Sequence, residues 1–371
     1  MHIGIDARLP AYQMGGISQY VLLLLRALGQ LDEQNRYTVV HSRRDSVSRL
    51  PVEAPNFERM VAWTPCHHRW ERWALWGEIG WRGFDVWHSP DFIPPQGGGK
   101  RRIITVHDLN FLHYPQFLTA ESRRYYGEQI GWATAVADHI LADSEHTRQD
   151  LIELLGVPGE KVTTVPLAAN PLYHDAFEAT VVAETLAKFN LPQEFILFVG
   201  TLEPRKNVIG LLEAYYLLRQ EEKVTLPLVL VGRKGWLYDE IFAQIKALGL
   251  SESVIHLEGV YDRMLAHLYT AASVLALPSH YEGFGLPVLE GMHCGCPVVC
   301  SDRASLPEVG GEAAKLLPPD DSGLWAETLG RVLHDSQLRE EMIQAGYRQA
   351  KRFNWHRTAE QTLAVYRGYY G

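Results

Sequence analysis

Two short segments carry the side chains whose types and spacing could do chemistry. In GTLEPRKN, residues 200–207, Arg205 and Lys206 follow the apolar run FILFV and precede VIGLLEAYYLLRQ, which has helical periodicity. A turn that brings two cations to a helix N-terminus at the carboxyl end of a strand joins fixed charge to free backbone N–H groups, the combination a diphosphate needs. A solvated basic turn is the plainer alternative. In HYEGFGLPVLEGMHCGCPVV, residues 280–299, Glu282 and Glu290 stand eight apart. Glu282 falls in a loop, and Glu290 falls about a turn into a helix that begins near Leu286 and Pro287. Pro287 suits a first helical turn, while Gly283 and Gly285 let backbone approach a ligand closely. Carboxylates there cannot bind phosphate, but they accept hydrogen bonds from sugar hydroxyls. Leu289, Met292 and Cys294 around Glu290 predict partial burial.

The elements that must position these groups alternate between short apolar runs and longer helical segments, the pattern of parallel sheets built from βαβ units. Runs at 3–6, 37–42, 84–90, 103–108, 139–144 and 162–167 are followed by a second series at 195–201, 227–232, 254–259, 274–279, 297–301 and 314–317. The fold class is therefore α/β, with two doubly wound units. The boundary is expected within 168–194, dividing the chain into 1–172 and 173–355. Ligands of such sheets bind beyond the carboxyl ends of the strands, so two facing units make a cleft. Polar exceptions gather at those ends: Asp6, His88, His107 with Asp108, Ser144, Thr201 and Ser279. A lone histidine at a strand end is commonly structural, but the location of His107 favours a place in the site. His113, Ser144 and Ser279 are weaker candidates.

Composition removes several classes. The 371 residues hold 35 Lys+Arg against 44 Asp+Glu, a formal charge of −9, which argues against nucleic-acid binding. Residues 1–170 carry 17 against 19, or −2, which leaves 18 against 25, or −7, for the rest. Three of the four cysteines, Cys294, Cys296 and Cys300, lie in one apolar stretch and read as buried thiols. Cys66 has no partner nearby in sequence, so neither a disulfide framework nor a zinc clamp is expected. No leader and no membrane span is read, so a cytoplasmic protein is expected, soluble or peripherally attached. A dinucleotide oxidoreductase would need G-x-G-x-x-G after the first strand and a P-loop NTPase would need G-x4-G-K-S/T; neither is present.

One segment stands apart. In HHRWERWALWGEIGWRGF, residues 67–84, Trp70, Trp73 and Trp76 recur three apart among Arg69, Arg72 and Arg82. As a helix this presents an aromatic stripe beside cations. The spacing fits a core-facing stripe better than a membrane-facing one, although Trp with Arg also suits a membrane interface or a lipid-linked acceptor.

Taken together, MGGISQYVLLLLRAL, TVHDL, LADSEHTRQDL, GTLEPRKN, the E-x7-E block and FNWHRTAEQTLAVYR make the chain resemble glycosyltransferase family 4, retaining enzymes of the GT-B fold. The resemblance covers nearly the whole chain. It implies that Glu282 contacts hydroxyls of the transferred sugar, that Glu290 holds the nucleotide ribose, and that N–H groups around Phe284, Gly285 and Leu286 meet sugar or phosphate. Lys206 matches the family's phosphate-binding lysine. Many members have Gly-Arg where this chain has Gly200-Thr201, and Arg205 is expected to substitute for that cation. Gly15 and Gly16 match the loop laid against the diphosphate, and His107 matches the active-site histidine near the transferred sugar. Base selection falls around Gly259 and Val260. The closing helix, 356–371, is expected to pack back on the first unit, which would hold a saccharide or lipid-linked acceptor. No metal and no cofactor beyond the nucleotide-sugar co-substrate is implied. GIDAR, GTLEPRKN and VGRKGW look most like bacterial mannosyltransferases of O-antigen or exopolysaccharide synthesis, so GDP-mannose is the expected donor. A UDP-sugar is the alternative within the family; a GT-B epimerase and a non-catalytic scaffold are the alternatives outside it.

Overall fold

The computed structural model describes residues 1–12, 15–45, 54–117, 120–174 and 176–368. Met14, at the head of the glycine segment, and residues 369–371 of the expected closing helix lie outside them. The chain forms two compact units, Met1–Ala168 with the closing segment from Asn354, and Ala169–Phe353. The division falls four residues before the expected 172/173 boundary.

In the first unit β1 (His2–Asp6), β2 (Arg36–Ser42), β3 (Phe57–Ala62), β4 (Phe84–Ser89), β5 (Gly99–Val106), β6 (His139–Ala142) and β7 (Val162–Thr164) form a parallel sheet. Its order is β3-β2-β1-β4-β5-β6-β7. The inner strands are buried on both faces by flanking helices, which is why they read as nearly unbroken apolar runs. The strand order reverses between β1 and β4, so the ends of these two strands flank the crevice that the topology leaves open. Strand β3 lay outside the apolar runs of the sequence. Its charged Glu58 and Arg59 break the signal, and it survives as an edge strand because only one side needs pairing.

The tryptophan segment is helical over Glu71–Ile79, but the core-facing expectation is overturned. The buried positions are Glu71, Leu75 and Ile79, one helical face, and the last two pack with Val40, Ala62, Phe84 and Trp87. Trp73 and Trp76 fall on the other face and stay exposed. Leu75 and Ile79 supply enough apolar stripe to dock a nine-residue helix, so the indoles have no place left in the core. The closing helix, Trp355–Arg367, packs on the helix Gly16–Leu31. Tyr366 Oη pairs with His88 Nδ1 at 2.6 Å, and Thr358 Oγ1 donates to the Pro166 carbonyl at 2.7 Å.

The second unit repeats the design with β8 (Ile196–Val199), β9 (Leu228–Val231), β10 (Val254–Leu257), β11 (Val274–Leu277), β12 (Val298–Ser301) and β13 (Lys315–Leu317), in the order β10-β9-β8-β11-β12-β13. Strands β8 and β11 pair in parallel, with Val274 opposite Ile196 and Leu275 opposite Leu197. The reversal falls between them. That pairing brings together two loops some 75 residues apart in sequence, the basic turn after β8 and the Glu282 loop after β11.

Candidate active site

In the second unit the basic turn and the glutamate loop are knotted by charge. Lys206 Nζ meets Glu282 Oε1 at 2.5 Å, Arg205 Nη1 meets Glu282 Oε2 at 3.2 Å, and Ser279 Oγ donates to Oε1 at 2.7 Å. Arg205 also donates to Glu203 Oε1 at 2.7 Å and to the Tyr281 carbonyl at 2.6 Å, and the His280 amide donates to the Arg205 carbonyl. Lys206 and Glu282 are both buried. Burial alone would raise the Glu282 carboxyl, but Lys206 and then Arg205 overcome it and hold it down at about 2. Lys206 moves the other way: loss of solvent lowers its ammonium, with Arg205 adding to the effect and Glu282 opposing it.

Each loop runs into a helix N-terminus. Asn207, at φ 51°, caps the helix Val208–Glu221 by accepting from the Gly210 amide at 3.3 Å. Gly285, at φ 100°, precedes the helix Leu286–His293, and a β-carbon there would stand 2.8 Å from Leu306 Cδ2. Only glycine fits that position without strain. Phe284 is buried against Phe353, and Leu286 is half-buried. Glu290 accepts from the Tyr269 hydroxyl at 2.9 Å and is half-buried. Thr201 follows β8 and brings no charge, so the cations of this loop are Arg205 and Lys206. Gly259, at φ 68°, is exposed with open space beside it, and Val260 follows it half-buried, both beyond β10.

Gly15, Gly16 and His107 belong to the first unit. Gly15 is the exposed cap of the helix Gly16–Leu31, with extended backbone. His107, beyond β5, has both ring nitrogens engaged: Nδ1 with Asp143 Oδ2 at 2.6 Å and Nε2 with the Pro90 carbonyl at 2.7 Å. Burial would lower this imidazole, but Asp143, the Pro90 carbonyl and Asp91 outweigh it and raise it to about 9. Both partners are acceptors, so the ring is an imidazolium with its two N–H groups donated internally. Tyr20 packs edge-on against it. Beneath lies a neutral chain in which His88 bridges Tyr366 and Thr105, and Thr105 meets Tyr20; burial, then the charge of His107, holds His88 down at about 3.

The weaker candidates divide. Ser279 joins the Glu282 knot, whereas Ser144 caps the helix Glu145–Leu155 through the Thr147 amide. His113 pairs with Asp150 at 2.9 Å, and His146 lies 3.6 Å from the same carboxylate. Among the described residues these three are the group whose spacing could hold a metal ion, and they carry no part of the cationic knot. Sequence reading did not single out Glu203, Asp143 or the Pro90 and Tyr281 carbonyls. Asp143 was visible as a polar residue closing the run HILA, but its partner is 36 residues away, and backbone acceptors leave no trace in residue types. Nor did it single out Arg8, which is buried and donates to Asp6 at 2.7 Å, Glu71 at 2.6 Å and the Thr64 carbonyl at 2.9 Å.

Over the whole chain the fold is similar to that of sucrose-phosphate synthase from Thermosynechococcus elongatus, with a TM-score of 0.77 at 21% identity, covering 99% of this chain and 98% of that one. Two parallel-sheet units of this kind, each with polar groups at the strand ends where order reverses, are the architecture of the GT-B fold. Residues 14–171 match the profile described as Glycosyltransferase Family 4, and residues 184–349 match Glycosyl transferases group 1. The chain is 33% identical to the O-antigen chain mannosyltransferase B of Escherichia coli, over 96% of this chain and 97% of that one. It is 32% identical to the E. coli serotype-specific mannosyltransferase WbdA over 74% of this chain, a match that spans 35% of that longer enzyme. The protein belongs to glycosyltransferase family 4.

Proposed function

We propose that the protein transfers mannose from GDP-mannose to a saccharide or lipid-linked saccharide during cell-surface polysaccharide synthesis, on the cytoplasmic side, with retention at the anomeric carbon and without a metal ion. The observation that carries this reading is the buried knot of Lys206, Glu282 and Arg205 where strand order reverses in the second unit. The names of the mannosyltransferase relatives support the sugar and the polymer.

The cations now neutralised by Glu282 are suited to exchange that carboxylate for diphosphate oxygens. Released from them, Glu282 accepts hydrogen bonds from mannose hydroxyls, and Glu290 accepts from the ribose. N–H groups around Phe284, Gly285 and Leu286 add the positive end of a helix dipole at the diphosphate. Thr201 borders the phosphates, and Gly259 with Val260 meets the base. As the bond from anomeric carbon to phosphate oxygen breaks, negative charge grows on the leaving GDP, where Arg205 and Lys206 stabilise it. An acceptor hydroxyl bonds to the same face of that carbon and passes its proton to the departing phosphate oxygen. His107 cannot take that proton, because an imidazolium with both N–H groups committed has no lone pair. It serves as a fixed positive charge of the first unit.

Incubation with GDP-mannose and a mannosyl acceptor, followed by NMR of the product, tests the assignment. The expected product is α-linked and forms at the same rate in EDTA. A β-linked product, loss of activity in EDTA, or transfer from UDP-sugars only would each remove the corresponding part.

A further inference from the structure

The loops that follow β5 and β6 in the first unit carry donor side chains that the transfer chemistry does not use. Parallel pairing of the two strands, with Val106 opposite Ala142, sets their carboxyl ends side by side. The segments that leave them are already joined, by His107 Nδ1 with Asp143 Oδ2 at 2.6 Å and by Thr147 Oγ1 donating to the His107 carbonyl at 3.4 Å. A few residues further on, three metal-ligating side chains converge. His146 and Asp150 stand four apart on the helix Glu145–Leu155 and so share one face, a turn apart. His113 closes the short helix Asn110–His113 and reaches the same carboxylate.

One carboxylate therefore faces two imidazoles. His113 Nε2 lies 2.9 Å from Asp150 Oδ1, and His146 Nε2 lies 3.6 Å from Oδ2. The two rings are 24° apart in plane with centroids 6.3 Å apart, and one ligand atom from each of the three residues falls within 4.8 Å of the others. A tetrahedral ion with bonds of about 2.0–2.2 Å holds its donor atoms about 3.3 Å apart. The two nitrogen-to-carboxylate separations bracket that value, and a small turn of the imidazoles closes what remains. Asp150 is buried, while His113 and His146 keep 31% and 32% side-chain exposure, so an ion arrives from solvent with an anion behind the site. Two nitrogens and a carboxylate oxygen suit zinc and its neighbours in the transition series, whereas magnesium and calcium take oxygen ligands. Three protein ligands fall short of the closed four-ligand cage of a permanent structural zinc, and this makes the ion exchangeable.

We propose that His113, His146 and Asp150 bind an exchangeable divalent ion of the zinc class, which fastens the segment after His107 to the helix Glu145–Leu155. As the ion enters, the proton between His113 Nε2 and Asp150 leaves to solvent. The ion takes no part in the transfer step; it stiffens the first unit where the loops after β5 and β6 meet. The inference stands on the geometry of that unit and holds whichever sugar is transferred.

Titration of the metal-stripped full chain with Zn²⁺ by calorimetry, and with Co²⁺ by visible absorption, tests it. One Zn²⁺ binds per chain at micromolar concentration, and Co²⁺ gains the visible bands of a site with imidazole ligands. Saturating Zn²⁺ raises the melting temperature of the wild type by about 5 °C. His113→Gln and His146→Gln each weaken Zn²⁺ binding by about tenfold to a hundredfold or more and abolish that rise. His356→Gln, which replaces an exposed histidine of the closing helix, leaves both unchanged. His146→Gln spares the pair of His113 with Asp150, so its metal-free melting temperature should match the wild type; if His113→Gln melts early, His146→Gln carries the test alone. Wild-type protein that binds no Zn²⁺ at submillimolar concentration, or binding that survives His146→Gln undiminished, would overturn the proposal.

Discussion

Lys206 and Glu282 sit where neither charge could persist alone, and their pairing sets both their stability and their availability to a ligand. The Glu282 carboxyl titrates at about 2 in the folded chain against an ordinary 4.5. Its contribution to stability is therefore complete above about pH 4.5 and lost as pH falls toward 2. Urea unfolding across that window should show the acid slope in the wild type and a shallower one in Glu282→Gln. His107 gives the opposite sign. Its imidazolium, raised to about 9 from an ordinary 6.5, contributes fully below pH 6.5, and that contribution is lost as pH rises through 9. His107→Gln should flatten this alkaline loss. The transfer rate of the wild type should show no basic group titrating near 6.5 that disappears with that substitution.

At the scale of elements, what was legible was what repeats locally. The strand runs, the glycine and proline positions at helix starts, and the two loops that follow β8 and β11 could all be read because each depends on neighbours within a few residues. What could not be read depends on partners far along the chain. The outward turn of Trp73 and Trp76 is decided by Leu75 and Ile79 docking on Val40 and Phe84, and the double engagement of His107 is decided by Asp143 and a carbonyl. Two loop residues carry predictions. Gly285→Ala places a β-carbon at φ 100° and against Leu306, costing about 1–2 kcal/mol, and should lower both the melting temperature and the affinity for donor. Asn207→Ala loses the cap on the Gly210 amide and the 2.7 Å bond from Nδ2 to the Pro319 carbonyl. That change should cost about 1–2 kcal/mol in chemical denaturation, and Asn207→Gly less, because glycine tolerates the left-handed backbone.

For the molecule as a whole, the chain ends in the unit where it begins. The helix Trp355–Arg367 gives Ala359, Leu363, Val365 and Tyr366 to the core of the first unit and ties Tyr366 to His88. Tyr366→Phe leaves His88 Nδ1 unpartnered in a buried place, which should cost about 1–3 kcal/mol of unfolding free energy. The two units are otherwise built alike, and the difference between them is chemical: neutral and imidazolium histidines in the first, a lysine and an arginine locked to glutamate in the second. The central claim is that this second set receives the diphosphate and the sugar of the donor. The most direct measurement is kcat/KM for nucleotide release coupled to acceptor glycosylation, in the wild type against Lys206→Ala and Glu282→Gln. Each substitution is predicted to lower it by about 10²–10³, the loss expected when one fixed electrostatic partner of the transition state is removed. Rates within twofold of the wild type in either variant would contradict the account.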